Sequence, residues 1–314
     1  MPLNQVLVTC PPMLGAIEEF MPHAKELGIQ LVPANVTQTL SEVELSRQLP
    51  KMDGWIIGDD PATRQVFEAG RRGRLRAAVK WGIGVDNVDF EACRDLHIPI
   101  INTPGMFGNE VADIALGYVI ALARHTFEID RGVRSGGWPK PSGISLAGRT
   151  AALIGYGDIG RQTAHRLLSI GMKVIIYDPG IREEDLLPGV IMLPWPRGIG
   201  SADVIVATCA LTSSSFHMIN ENTLKAMKTG VRIVNVGRGP IIDQQALEHA
   251  LANGHVHSAA LDVYEVEPLP VISRLRNYPS CIFGSHNASN TIDGVRRTSI
   301  KAIEVLAKFL YSSK

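Results

Sequence analysis

Three side chains in the second half of the chain have the types and positions that a proton-coupled reaction on a small acid needs. Arg238 lies in Asn235-Val236-Gly237-Arg238-Gly239-Pro240, an arginine between glycines directly after an apolar run. A guanidinium so placed can present its planar fork to a carboxylate or a carbonyl. Glu267 lies in Asp262-Val263-Tyr264-Glu265-Val266-Glu267-Pro268, and His286 in Phe283-Gly284-Ser285-His286-Asn287. Histidine is the natural acid and base at neutral pH. Taken singly, each has a plainer reading: a turn arginine, a solvated glutamate, one loop histidine among nine. Taken together, each follows a predicted strand, where open α/β sheets place their ligands.

The element that must position them is the run Arg149 to Gly160. Its apolar residues Ala151 to Ile154 end in Gly155-Tyr156-Gly157-Asp158-Ile159-Gly160, and a helical pattern follows from Arg161 to Ile170. A second apolar run, Lys173 to Tyr177, stops at Asp178-Pro179. Strand, glycine turn, helix, strand and acid is the order of a dinucleotide-binding βαβ unit. Gly155 permits the tight turn, Gly157 lets a pyrophosphate approach the backbone, and Gly160 lets the helix lie close to the strand. The helix N-terminus offers unpaired N–H groups to the anion, and Asp178 would accept hydrogen bonds from an adenosine ribose. Such a fold permits hydride transfer without naming a substrate.

Composition narrows the field. At 314 residues the chain exceeds the usual single domain, so two domains are expected. Hydrophobic residues make up 45% and charged ones 20%, with 31 basic against 31 acidic side chains, so neither nucleic acid nor an anionic membrane is indicated as a partner. The basic cluster Arg71-Arg72-Gly73-Arg74-Leu75-Arg76 reads as a solvated helix end. Cys10, Cys93, Cys209 and Cys281 are far apart and form no C-x-x-C pair, which indicates neither disulfides nor a metal. With no signal-peptide pattern at the N-terminus and no membrane-length apolar run, the expected location is cytoplasmic.

Strand and helix patterns alternate from one end of the chain to the other. Before the fingerprint, strands are expected near Val6–Thr9, Ile29–Val32, Trp55–Ile57, Ala77–Lys80 and Ile98–Asn102. Helices are expected between them, one with Ser41 as N-cap and Glu44 completing a capping box. A single amphipathic helix is expected from Asn109 to Arg131, followed by the breaker-rich loop Gly136 to Gly143. Past Asp178, strands are expected at Val204–Thr208, Arg232–Val236 and Ala259–Val263, and a last helix at Asp293–Phe309. The alternation predicts an α/β protein of two doubly wound, Rossmann- or flavodoxin-like parallel-sheet domains.

With these motifs in this order, the sequence resembles the D-isomer-specific 2-hydroxyacid dehydrogenases, and among them the phosphoglycerate dehydrogenase-like branch. The resemblance rests on Lys80-Trp81-Gly82-Ile83-Gly84-Val85-Asp86-Asn87-Val88-Asp89, Asn102-Thr103-Pro104-Gly105, the Gly155 fingerprint, Asn235 to Gly239, Leu261-Asp262-Val263-Tyr264, Glu267-Pro268 and His286. It implies that the cofactor domain, residues 100–283, is inserted into a substrate domain of residues 1–99 and 284–314, with the reacting groups in the cleft between them. It implies NAD as cofactor and a small 2-keto or D-2-hydroxy acid as substrate. Arg238 then binds and polarises the substrate's oxygens, and His286 moves the proton to and from the carbonyl oxygen. Glu267 is the acid paired with that histidine, favouring the imidazolium and fixing which ring nitrogen faces the substrate. Ile83, Gly84 and Val85 hold the substrate carboxylate on backbone N–H groups, and Asp262 lies near the nicotinamide carboxamide. Gly155, Gly157, Asp158, Ile159, Gly160, Asp178, Cys209, Ala210, Val236, Gly237 and Arg238 line the cofactor. A homodimer is implied through the segment from Val111 to Arg131 and the loop around Trp138.

The chain also departs from the family pattern. Ser285-His286-Asn287-Ala288-Ser289-Asn290 is more polar than the family's histidine loop, Ala210 replaces a proline, and Asp158 sits beside the expected pyrophosphate. Asp178 followed by proline favours NAD over NADP, with Arg182 close by. Phosphoglycerate dehydrogenases often carry an arginine for the substrate phosphate just after the third strand, where this chain has Gly58-Asp59-Asp60. Two carboxylates there would repel a phosphate. Phosphoglycerate, hydroxypyruvate or glyoxylate, and a sugar-derived hydroxy acid therefore all stand as substrates, against the non-enzymatic reading of an NAD(H)-sensing binding protein.

Overall fold

Parallel neighbours need a crossover of a dozen or more residues, and the helical stretches between the apolar runs supply it. The computed structural model describes residues 2–312, and every strand pairing among them is parallel. The chain divides into two units. The first runs up to Met106 and resumes at Asn290; the second is Phe107–Ser289.

In the first unit, β1 (Asn4–Val8), β2 (Ile29–Pro33), β3 (Gly54–Ile57), β4 (Ala77–Lys80) and β5 (Ile100–Asn102) pair in the order β2-β1-β3-β4-β5. This is the flavodoxin-like winding. Every residue of β3 and β4 is buried, as strands covered on both faces must be. The helices are α1 (Ile17–Glu26), α2 (Glu42–Gln48), α3 (Arg64–Arg72) and α4 (Phe90–Asp95), with Ile292–Ser312 added from beyond the second unit. The Ser41 and Glu44 capping box is present at the start of α2.

In the second unit, β6 (Thr150–Ile154), β7 (Lys173–Tyr177), β8 (Val190–Met192), β9 (Val204–Ala207), β10 (Val231–Asn235), β11 (Val256–Leu261) and β12 (Ile282–Phe283) pair in the order β12-β11-β10-β9-β6-β7-β8. That is the Rossmann order with a seventh strand added at one edge. Its helices are α5 (Gly108–Arg124), α6 (Thr126–Arg134), α7 (Asp158–Ser169), α8 (Glu221–Ala226) and α9 (Gln244–Ala252).

The structure differs from the sequence expectations in four places. The single helix expected over Asn109–Arg131 breaks at His125, whose φ of 56° is left-handed and cannot continue an α-helix. α7 starts at Asp158, so the glycine loop passes into the helix without a linker. The unit limits fall at Met106 and Ser289 instead of residues 99 and 283. The reason is pairing: β5 bonds to β4 and stays in the first unit, while the His286 segment is bonded to β11 and stays in the second. The edge strands β8 and β12 were not expected, being too short to show a period.

Candidate active site

The glycine loop is built by exclusion. A Cβ on Gly155, whose φ is 96°, would stand 2.7 Å from the backbone of Cys209, and one on Gly160 would collide with the Gly155 carbonyl. A Cβ on Gly157 would meet nothing within 4 Å, so the space over this glycine is open. The first-turn N–H groups of α7, at Asp158, Ile159 and Gly160, have no intrahelical acceptor and face that same loop. The open space and these donors suit a pyrophosphate.

Asp178 ends β7 with its carboxylate already oriented. Oδ2 accepts from Tyr156 N (2.7 Å) and Oδ1 from Gly180 N (2.9 Å). Arg182, close in sequence, is engaged by Glu184 (2.6 Å) and Asp185 (3.2 Å). The Asp158 carboxylate lies against Gly108 at the start of α5, where a side chain on Gly108 would strike it. Helix N-termini favour negative charge, which accounts for an acid inside the glycine loop. Opposite, Val236 is buried and donates to Ala207 O (3.1 Å), and Ala210 O accepts from Ser215 Oγ (2.8 Å). Burial pushes the Cys209 thiol up to about 11, so it is a protonated, unreactive wall at neutral pH.

Arg238 follows β10 in a loop that Asn235 ties down from beneath. Asn235 is 1% exposed; its Nδ2 donates to Arg238 O (2.9 Å) and its Oδ1 accepts from Gly237 N (3.0 Å). A Cβ on Gly237 would stand 2.8 Å from Cys209 O, and one on Gly239 would overlap the backbone of Tyr264. Both glycines are therefore required by close backbone approach. Tyr264 N in turn donates to Glu267 Oε1 (2.9 Å), leaving Oε2 for His286 Nδ1 at 2.7 Å. Both members of this pair are about three-quarters buried, with side chains 25% and 23% exposed. The glutamate fixes the ring through Nδ1 and turns Nε2 away from the pair.

Asp262 is 2% exposed and is bonded to the histidine loop. Its carboxylate accepts from Asn287 N (3.3 Å) and Ala288 N (2.9 Å), and its carbonyl from His286 N (2.7 Å). It holds the histidine loop from inside. In the first unit, Ile83, Gly84 and Val85 follow β4, and their amide N–H groups donate to no acceptor among the described residues. Asp60 is fully buried and accepts from Thr9, Leu40 N (2.8 Å) and Gly58 N (3.2 Å). Asp59 binds the buried ammonium of Lys80 (3.2 Å). The expectation that both carboxylates face a substrate is therefore corrected: Asp60 is turned into the core.

Comparison with known proteins decides the family. Residues 116–288 match the model of the D-isomer specific 2-hydroxyacid dehydrogenase, NAD binding domain. The chain is 34% identical over 279 residues to a hydroxypyruvate reductase of Thermotoga maritima, covering 87% of this chain and 90% of that one. It is 34% identical over 289 residues to D-3-phosphoglycerate dehydrogenase 3, chloroplastic, of Arabidopsis thaliana, covering 90% of this chain and 49% of that one. A solved structure from Thermus thermophilus superposes with a TM-score of 0.87 at 29% identity, over 98% of this chain and 97% of that one.

The chain belongs to the D-isomer specific 2-hydroxyacid dehydrogenases. Its cofactor is NAD, and the open space over Gly157 with the oriented Asp178 fits that group. As a member of this family it places Arg238, Glu267, His286 and the glycine loop in one unit. Ile83, Gly84 and Val85 belong to the other. Sequence reading missed Asn235 as the anchor of the arginine loop, and Tyr264 as the backbone donor that sets Glu267. The signal for Asn235 was present, a polar residue closing the strand that leads into the arginine loop. Among the described residues no helix is long and apolar enough to cross a membrane.

Proposed function

We propose that this dehydrogenase interconverts a 2-keto acid and its D-2-hydroxy acid, with His286 as acid and base, Glu267 as its partner and Arg238 as the substrate-binding cation. The observation that carries this reading is the 2.7 Å His286–Glu267 pair, held in the same unit as the nucleotide loop. NAD, when bound, supplies or accepts the hydride. The remaining work falls to the chain. Glu267 orients the ring through Nδ1, so Nε2 carries the proton that reaches the carbonyl oxygen during reduction and takes it back in oxidation. Arg238 neutralises the substrate carboxylate and polarises the keto oxygen. The Ile83-Gly84-Val85 amides, which donate to no acceptor among the described residues, are further candidates for holding a carboxylate. The oriented Asp178 carboxylate, with Arg182 engaged elsewhere, supports NAD over NADP.

For the substrate we favour an unphosphorylated acid of the hydroxypyruvate or glyoxylate class over 3-phosphoglycerate or a sugar-derived acid. The end of β3 offers Asp59 and the buried Asp60, and the nearby Lys80 ammonium is spent on Gly58 O (2.6 Å) and Asp59. Among the described residues of that strand end, a phosphate would find no free cation. We further propose a homodimer through α6, which has no buried residue and exposes Phe127 and Val133, and through Trp138. The four unpaired cysteines suit a cytoplasmic setting. The experiment is an NADH-oxidation screen over 2-keto acids with and without phosphate, repeated with NADPH. Turnover of hydroxypyruvate or glyoxylate with NADH is expected; a preference for the phosphorylated acid or for NADPH refutes the respective assignment.

A further inference from the structure

The segment from Gly284 to Ala288 has no regular structure, yet it must keep one histidine on one glutamate. Gly284 N donates to Leu261 O (2.8 Å), Tyr264 Oη donates to Gly284 O (2.7 Å), and His286 N donates to Asp262 O (2.7 Å). The Asp262 carboxylate then takes Asn287 N (3.3 Å) and Ala288 N (2.9 Å). Two backbone donors leave a buried carboxylate short, since it has room for about four. A buried charge with too few partners is costly.

A further donor comes from helix α5. The Tyr118 hydroxyl faces the Asp262 carboxylate across the bare Cα of Gly284, within reach to donate a hydrogen bond to it, and the lack of a side chain on Gly284 makes room for it. A Cβ on Gly284 would stand 2.6 Å from Tyr118 Oη and would overlap Asp262 Oδ1. Both oxygens therefore crowd onto the bare Cα of the residue that opens the histidine loop. Burial and the neighbouring Asp262 charge raise the Tyr118 pKa well above the ordinary phenol range, so the hydroxyl stays a donor throughout the working pH.

We infer that Tyr118 is a positioning residue for the reaction. Its hydroxyl holds the Asp262 carboxylate in the orientation that fixes Asn287 and Ala288, and so sets the His286 ring on Glu267. This rests on His286 being the acid and base. The residue never touches substrate; it acts through Asp262, and Gly284 is the space it needs.

The test is a set of variants assayed for keto-acid reduction from low to high pH. Tyr118→Phe removes one oxygen and keeps the ring. It is expected to lower kcat about tenfold, as small displacements of a reacting group do, with KM for NADH changed by less than about twofold because the glycine loop is untouched. The alkaline limb of kcat/KM should move to lower pH, because a looser ring loses part of its carboxylate partner. Asp262→Asn should show the same fall in kcat and the same shift of the alkaline limb, and the double variant should be no worse than Asp262→Asn alone. A Tyr118→Phe enzyme that is merely less heat-stable, with unchanged kcat and pH profile, overturns the inference. So does a double variant whose losses multiply. Full turnover in His286→Ala would instead refute the acid–base reading beneath it.

Discussion

Asp53 in the first unit and Asp203 in the second hold equivalent positions. Each precedes a strand adjacent to the first strand of its sheet and takes that strand's opening N–H on its side chain: Gln5 N at 2.9 Å, Thr150 N at 3.0 Å. Each also donates its own N–H back, to Gln5 O (2.7 Å) and Thr150 O (2.8 Å). Each collects two cations, Arg74 and Arg76 for Asp53, Arg149 and Lys228 for Asp203. The amino ends of the two sheets are thus closed in the same way. At the carboxyl ends the units part. In the first, Thr9, Trp55, Gly58 and Asp60 bond one another, Lys80 is consumed, and the Ile83 to Val85 backbone is left to offer. In the second, the strand ends present Gly157, Asp178, Arg238 and the His286–Glu267 pair, partly exposed for the most part. A doubly wound sheet therefore makes a scaffold when its polar side chains bond inward, and a candidate reaction centre when they are held outward by bonds from beneath.

The contrast can be broken by substitution, and the largest effect belongs at the carboxyl end of the second sheet. His286→Ala is expected to cost about a thousandfold in kcat, while NADH binding followed by fluorescence is retained. Turnover near the parent level would remove His286 from the chemistry. Arg238→Ala should cost about a hundredfold in kcat/KM, spread over both constants, because a carboxylate partner and a polarising charge vanish together. An effect on KM alone would leave Arg238 a binding group only.

At the carboxyl end of the first sheet the outcome should be the reverse. Asp60→Asn is expected to lower stability by about 2–3 kcal/mol, since its buried donors lose their acceptor, with kcat per folded enzyme unchanged. A large loss of kcat at unaltered stability would mean that this end also takes part in the reaction.

The smallest effects concern the matched amino ends. For both Asp53 and Asp203 burial pushes the carboxyl pKa up, but the hydrogen bonds and ion pairs outweigh it and the net shift is downward. A lowered folded value means stabilisation that is complete above the ordinary carboxylate value of 3.8 and is lost as pH falls through the folded value below it. Asp53→Asn and Asp203→Asn should each cost about 1–2 kcal/mol near neutrality, discounted for their part-exposed cations. The deficit should shrink toward pH 3. Hydrogen exchange should localise the loss to β1–β5 for Asp53 and to β6–β12 for Asp203. Equal loosening of both sheets by either change would deny that the two anchors are separate.

Much of this was legible in the residues. The glycine fingerprint, the strand-helix alternation and the Ser41 capping box depend on local spacing, and each formed where local rules put it. Arg238, Glu267 and His286 stood out because each follows a strand. What stayed hidden were contacts between residues far apart in sequence. Nothing local marks Asp262 as the holder of Asn287 and Ala288, or tells Asp60 apart from Asp59. The break at His125 was equally silent, because the apolar period continues through it and only the backbone conformation changes.

The sequence by itself determined the family and the cofactor, and marked three side chains as candidates for the reaction, because glycines, strand ends and acid–base residues are tied to function by residue type. The tertiary structure alone decided orientation: that His286 meets Glu267 through Nδ1, that Asp262 faces the loop behind the histidine, and that Asp60 turns inward. Side-chain direction follows from which neighbours remove water from a polar group and which replace its hydrogen bonds. That balance is set by packing across the fold, which one-dimensional spacing does not contain.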